Sequence, residues 1–496
     1  MATEKTQPLI DAGKAAMHRA DWEKAVAAFR EASSIKESAE VLEYLGWAAW
    51  WLNDAALSFD ALERAYQLYC AEQDRRGAAR TAVWLARALL EFRGEHAVAN
   101  GWLQRAHSHL EGLEESPELG WLLLFEGHLA LMGKKETEIA RSLARHAIAI
   151  GRTFREADIE MWGRALDGLA LVIAGDVSAG MQQLDEAATI GVAAEAKDLN
   201  AIGATCCYLI HACERVQDHE RAEQWYARTR EICRRWRFNA LVAVCRAQYA
   251  SLLISRGAWG EAEAELQSAR EELKQYRPSL LPMCDLRIAE LRRRQGCFDD
   301  AAQLFSQMES HPLSLLGRGL IALDRGDATT ALELAERYLR RVPANDRIER
   351  MPGMELLLRA KIALKQLDDA NATVGELLSI AAMIPIDPIR AAVSFAAGLL
   401  SFHTDELETS RQQFEDALDL YHRANMGYDE ARARLYLPVC WESWIGLSRL
   451  ARKHSVRRMH SGNSEPPLTK SSALNSFKAL FREPPLPCSM RFARQA

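Results

Sequence analysis

The sequence predicts an all-α chain in which helix pairs repeat along most of its length and stack into a solenoid. Two observations carry this: one spacing of small and large apolar residues recurs along the chain, and short turn signals fall between the paired helices. A third agrees, because no sustained run of alternating Val, Ile and Thr argues for strands. The 496 residues are 49% hydrophobic and 26% charged, with 28 Gly and 15 Pro, which excludes wholly disordered and collagen-like classes. A net charge of -6 gives no nucleic-acid footprint over the whole chain. At about 150 residues per domain the length would suggest roughly three globular domains, but a solenoid grows by stacking and needs no such breaks.

The first copy of the spacing is Gly13, Ala25, Phe29 and Ala32, and the next is Gly46, Ser58, Leu62 and Ala65. Looser copies near Ala99 to Ala106 and Ala140 to Ala147 lead to Gly168, Gly180, Leu184 and Ala187. A loose copy at Ala222 to Thr229 precedes Ala250, Ala262, Leu266, Ala269, and then Ala289, Ala301, Phe305, Met308. Gly319, Ala331, Ala335 and Tyr338 follow, then a loose copy at Ala360 to Ala372, and finally Gly398, Ser410, Phe414 and Ala417. That makes about eleven units between Pro8 and Tyr421, roughly 38 residues each. A small residue late in one helix and another early in the next let the two backbones approach. The large residue and the following small one seat the next unit. Arg19-Ala20-Asp21, Arg256-Gly257-Ala258, Gln295-Gly296-Cys297 and Asp324-Arg325-Gly326-Asp327 supply the turns.

These spacings resemble the tetratricopeptide repeat, a helix-turn-helix unit of about 34 residues that stacks into a right-handed superhelical solenoid. Longer strings carry a closer resemblance: Leu45-Gly-Trp-Ala-Ala-Trp-Trp-Leu52, Ala99-Asn-Gly-Trp-Leu-Gln-Arg-Ala106, Cys206-Cys-Tyr-Leu-Ile-His-Ala-Cys-Glu-Arg-Val216, Gly257-Ala-Trp-Gly-Glu-Ala-Glu263 and His311-Pro-Leu-Ser-Leu-Leu-Gly317. Together they are similar to the tetratricopeptide region of bacterial LuxR-type transcriptional regulators that lack a nucleotide-binding domain, over roughly residues 8 to 435. The resemblance implies a solenoid that senses a signal or binds a protein and controls a C-terminal helix-turn-helix module, with DNA as that module's partner.

The tetratricopeptide resemblance also implies which side chains face the concave groove: those one, four and five positions after the late small residue of each first helix. Beside Gly46 these are Trp47, Trp50 and Trp51, on one helix face, with Leu42, Leu45 and Ala49 on the opposite flank for packing. Beside Ile210 they are His211, Glu214 and Arg215, and beside Ala289 they are Glu290, Arg293 and Arg294. The tryptophans suit a peptide or partner-helix anchor, and the arginines suit carboxylates of a ligand or partner. Plainer readings stand beside these: rings covered by adjoining units, arginines on a solvated face, and His211 as a hydrogen-bonded packing residue.

The repeat pattern runs to Ala431-Arg-Ala-Arg-Leu435 and is broken by Pro438. The division expected is therefore 8–437, solenoid, and 438–496, a basic, proline-containing tail of disordered composition. The tail carries ten Lys or Arg against three Glu, a net +7, which leaves -13 for the first 437 residues. Leu468-Thr469-Lys470 lacks the Arg-Glu pair that opens a LuxR-type DNA-binding domain, and Ser461 to Ser464 leads into Pro466 and Pro467. A shift of reading frame near residue 436 would account for the abrupt change. Arg449, Arg452, Lys453, Arg457 and Arg458 could instead attract a phosphate backbone without reading sequence.

Chemical motifs are scarce. There is no GxxxxGK[ST], HExxH or GxSxG, and Gly317-Arg-Gly319-Leu-Ile-Ala322, which fits a dinucleotide pattern, has no strand before it. Cys206, Cys207 and Cys213 match no zinc spacing and read as buried reduced thiols, like the other cysteines in helical sequence. The expectation is a non-enzymatic scaffold with no cofactor and no metal, binding a protein or peptide in its groove. An adaptor unrelated to transcription is the alternative. The N-terminus shows no secretion signal, and Pro385, Asp387, Pro388 and Arg390 interrupt the apolar stretch from Leu377 to Phe402, so a cytoplasmic chain with no membrane partner is expected.

Overall fold

The computed structural model describes residues 2–193, 197–236 and 239–437. The expected tail and its basic cluster lie outside the described residues. Among those described, 22 α-helices form eleven pairs, beginning with Ala2–Met17 and Trp22–Ile35 and ending with Asp387–His403 and Leu407–Arg423. Helix resumes over 427–437, and no strand occurs among the described residues. The architecture is an all-α, helix-pair solenoid.

The recurrent small residues are where the helices of a pair touch. A methyl group added at Gly13 would lie 2.6 Å from the Phe29 ring, at Gly46 2.6 Å from Leu62, and at Gly398 2.8 Å from Phe414. At Gly180 it would meet the Gly168 carbonyl at 2.5 Å, so that pair packs backbone on backbone. Where the partner is serine the contact becomes a buried hydrogen bond: Ser58 Oγ donates to Gly46 O at 3.0 Å, and Ser410 Oγ to Gly398 O at 2.9 Å. Gly317 and Gly319 lie inside the helix Pro312–Asp324, against Phe305 and Leu356, and serve packing.

The turn signals also act as their chemistry dictates. Ala20, Gly257, Gly296 and Gly326 take positive φ (54°, 92°, 79° and 85°), reversing the chain inside a pair. An aspartate then opens several second helices: Asp54 Oδ1 accepts from Leu57 N at 3.1 Å, and Asp327 Oδ1 from Thr330 N at 3.0 Å. The apolar stretch of Leu377 to Phe402 is split between the helices Leu367–Met383 and Asp387–His403. No described helix is long and apolar enough to cross a membrane. Cys206, Cys213, Cys245 and Cys284 are buried free thiols, as their helical context suggests. Cys297 departs from that reading: half-buried just before the helix Phe298–Ser306, it is disulfide-bonded.

The chain divides into two compact units, one of residues up to Leu252 with Glu261–Asp285, the other of Leu253–Gly260 with the chain from Leu286 onward. In the first, the segment Pro278–Leu280 returns to the turn Leu89–Arg93, and Ser279 Oγ donates to Glu91 O at 2.6 Å. In the second, the helix over 427–437 stacks Tyr436 on Phe414 at 5.0 Å and brings Arg432 Nη2 to Glu355 Oε1 at 2.6 Å.

Candidate ligand-binding cavity

The tryptophan-rich end of the helix Ala39–Trp51 meets the start of Trp22–Ile35. Trp22 stacks on Trp51 with centroids 5.1 Å apart, and Trp50 meets Trp51 edge to face at 4.7 Å. Together they form one wall of a cavity of about 650 Å³ inside the first unit. The other walls come from first helices of later pairs: Arg87 from Arg75–Ala88, Phe125 and His128 from Pro117–His128, Trp162 from Ala157–Ala174, and Tyr208 and His211 from Leu199–Val216. Gln248, Tyr276 and Arg277 complete it. Two wall helices end in π-helical turns, Leu89–Arg93 and Leu129–Lys134, which place Glu91 and Met132 on the cavity. A π turn re-aims side chains at the expense of regular bonding and is frequent at functional sites.

Arg277 closes the ring. It is 3% exposed, its Nη1 donates to Asn53 Oδ1 and to Tyr276 O, and its Nε reaches Glu91 Oε2 at 3.4 Å. The guanidinium lies over Trp50 at 4.7 Å and Phe92 at 4.2 Å. Glu91 is shared, since its Oε1 accepts from Arg87 Nε at 2.7 Å, and Arg87 also lies over Trp50 at 5.0 Å. Burial pulls the Arg277 pKa below the usual range and the Arg87 charge adds to this, while Glu91 opposes it. Burial likewise pushes His128 down to about 4, aided by Arg87, so this ring is neutral at physiological pH and its Nδ1 pairs with the Tyr208 hydroxyl at 2.6 Å. Buried beside the cavity, the indole N–H groups of Trp22 and Trp50 and the amide oxygens of Asn200 and Gln248 have no hydrogen-bond partner among the described residues.

The structure separates the residues that the sequence grouped by rule. Trp50, Trp51 and His211 border the cavity. Trp47 does not line it: half-buried, it stands between Tyr44 and Trp84 at 5.4 Å from each, while Trp50 is buried against Trp51, Trp84 and the two arginines. Glu214 binds His211 Nδ1 at 3.3 Å, and neither Glu214 nor Arg215 lines the wall. Glu290, Arg293 and Arg294 belong to the second unit and are engaged with one another. Arg293 Nε reaches Glu290 Oε2 at 2.8 Å and Arg294 Nε reaches Oε1 at 2.7 Å. Against the upward push of burial, the two arginines hold Glu290 down at about 2. The Arg294 guanidinium also lies 4.4 Å over Tyr428 of the helix 427–437. Leu42, Leu45 and Ala49 are buried, as their flank requires. Among the described residues no group of three or more His, Cys, Asp or Glu could hold a metal ion.

Trp22, Arg87, Glu91, Tyr208 and Arg277 line the cavity at positions that the groove rule does not mark. Trp22 and Arg277 stand in or next to turns, outside the first-helix rule. Arg87 does lie on a first helix, but no clear small-residue register marks its position there.

Fold and cavity together define a class: a helix-pair repeat protein with an aromatic-walled interior cavity. No family model matches the chain, and no curated protein matches it. Solved structures with a similar fold include yeast Tom70, at 12% identity and a TM-score of 0.38 over 90% of this chain and 97% of that one. Another is a Rap protein complexed with Competence and Sporulation Factor, at 12% identity and 0.40 over 82% and 98%. A third is the APC/C hetero-tetramer Cut9-Hcn1, at 13% identity and 0.33 over 86% and 96%. Likeness at this level bears on neither ligand nor partner.

Proposed function

We propose that the chain is a protein-interaction and signal-sensing scaffold whose recognition site is the cavity of the first unit. The observation that supports this is the wall itself: Trp22, Trp50 and Trp51 packed face to face and edge to face around about 650 Å³ of space. That volume falls within the roughly 300–1,000 Å³ of ligand sites and suits a short peptide segment or a few partner side chains. Aromatic anchors in such a setting dominate binding energy. The test is capture of a partner peptide by the full chain. W50A and W51A each weaken capture about tenfold or more, whereas W47A, away from the wall, has a smaller effect. Equal capture by wild type and W50A/W51A would overturn the reading.

The finer reading, from the resemblance to LuxR-type regulators, is that binding here is coupled to transcription through a helix-turn-helix module encoded downstream. Translating the gene beyond Arg434 in the other two frames tests it, and absence of a helix-turn-helix pattern there counts for a stand-alone adaptor.

A further inference from the structure

Two guanidinium groups border the cavity, and not all of their N–H donors are taken. Arg87 and Arg277 share one carboxylate, Glu91, through one nitrogen each. Arg277 Nη1 is taken by Asn53 and Tyr276, but no described residue accepts from Arg277 Nη2 or from either Nη of Arg87. Two further acids, Asp21 and Glu23, stand at the rim, and neither reaches these arginines. Asp21 binds Lys24 at 2.6 Å, Glu23 is exposed, and Asp198 accepts from the Ala201 amide at the start of its own helix. His128 and Tyr208 are paired with each other. The remainder of the wall is predominantly aromatic and aliphatic, with Trp50 under both guanidinium groups. An occupant therefore meets unclaimed N–H donors of two guanidinium groups, set in an apolar surround.

We infer that the cavity takes a carboxylate borne on an apolar body, with the carboxylate between Arg87 and Arg277 and the body against Trp22, Trp50 and Trp51. This rests on the cavity being the recognition site. Guanidinium groups already stacked on an indole are held in place, so binding a carboxylate costs little further side-chain ordering. The pairing is charge-assisted in a low-dielectric site, where an isosteric neutral group forfeits most of it.

The experiment is calorimetric titration of the full chain with 4-phenylbutyrate and with 4-phenylbutanamide, and separately with a hexapeptide ending Leu-Phe in free-acid and C-amidated forms. The first pair reports on a free organic acid and the second on a peptide terminus. In at least one pair the acid binds about tenfold or more tighter than its amide. R87Q lowers that ratio toward one, and E91Q, which removes the competing carboxylate, raises it. Opposite changes in the two variants are not expected from loss of structure, and the wild-type ratio stands even if one variant fails to fold. Acid and amide binding equally would overturn the carboxylate inference while leaving the cavity as a binding site. No saturable binding by any of the four would overturn both.

Discussion

Replacing Arg277 with Met removes a side chain that ties together stretches 186 and 224 residues apart in sequence. The guanidinium makes an ion pair with Glu91, bonds to Asn53 and Tyr276 O, and stacks on Trp50 and Phe92. Breaking a buried pair by deleting one partner costs about 3–5 kcal/mol. Here Glu91 keeps Arg87 at 2.7 Å, and Met retains much of the apolar stem, so the expected loss is smaller, about 2–3 kcal/mol. In a stacked repeat protein this loss is local, because each unit depends mainly on its neighbours. Native-state hydrogen exchange reads it directly: the amides of Gly94, Arg277 and Leu280, all bonded near the closure, exchange about 30- to 150-fold faster in R277M. Amides of the pair Asp387–His403 and Leu407–Arg423 keep their rates. Unchanged exchange at Gly94, Arg277 and Leu280 would refute the view that Arg277 holds the first unit closed.

Two further predictions concern packing and pH. G398A places a methyl 2.8 Å from Phe414 and destabilises by about 1–3 kcal/mol, and S410A, losing the bond to Gly398 O, by about 1 kcal/mol. G375A, on an exposed helix position with open space, stabilises by up to about 1 kcal/mol; opposite signs for G398A and G375A in urea unfolding are the check. His128 titrates near 4 when folded and near 6.5 when unfolded. Between these values the unfolded chain binds more protons, so stability rises with pH; its contribution is present above about 6.5 and lost as pH falls toward about 4. H128Q flattens this slope in pH-dependent unfolding, and an identical slope in the variant would contradict the burial argument.

The repeat was legible because close approach of two helices leaves a signature in residue size: Gly46 under Leu62, and Gly398 under Phe414 with Ser410 hydrogen-bonded back to it. Periodicity of this kind is local, and even the loose copies mark real pairs. The cavity was only half legible. Trp50, Trp51 and His211 follow from their place on a first helix, whereas Trp47, which the same rule selects, stands between Tyr44 and Trp84 away from the cavity. Arg277 follows no repeat rule, because its position depends on how far the stacked pairs turn before a later segment meets Asn53 and Glu91. The arginines beside Ala289 read as free ligands in sequence, and only the fold brings them onto Glu290 and Tyr428.

Recognition at the first unit's cavity has a direct spectroscopic consequence. Methyl-labelled methionine NMR tests it most directly, because Met132 and Met283 line the cavity whereas Met354 is buried in the second unit. Added carboxylate ligand or captured peptide shifts the Met132 and Met283 signals and leaves Met354 in place. Shifts at Met354 with Met132 and Met283 unmoved would contradict the account.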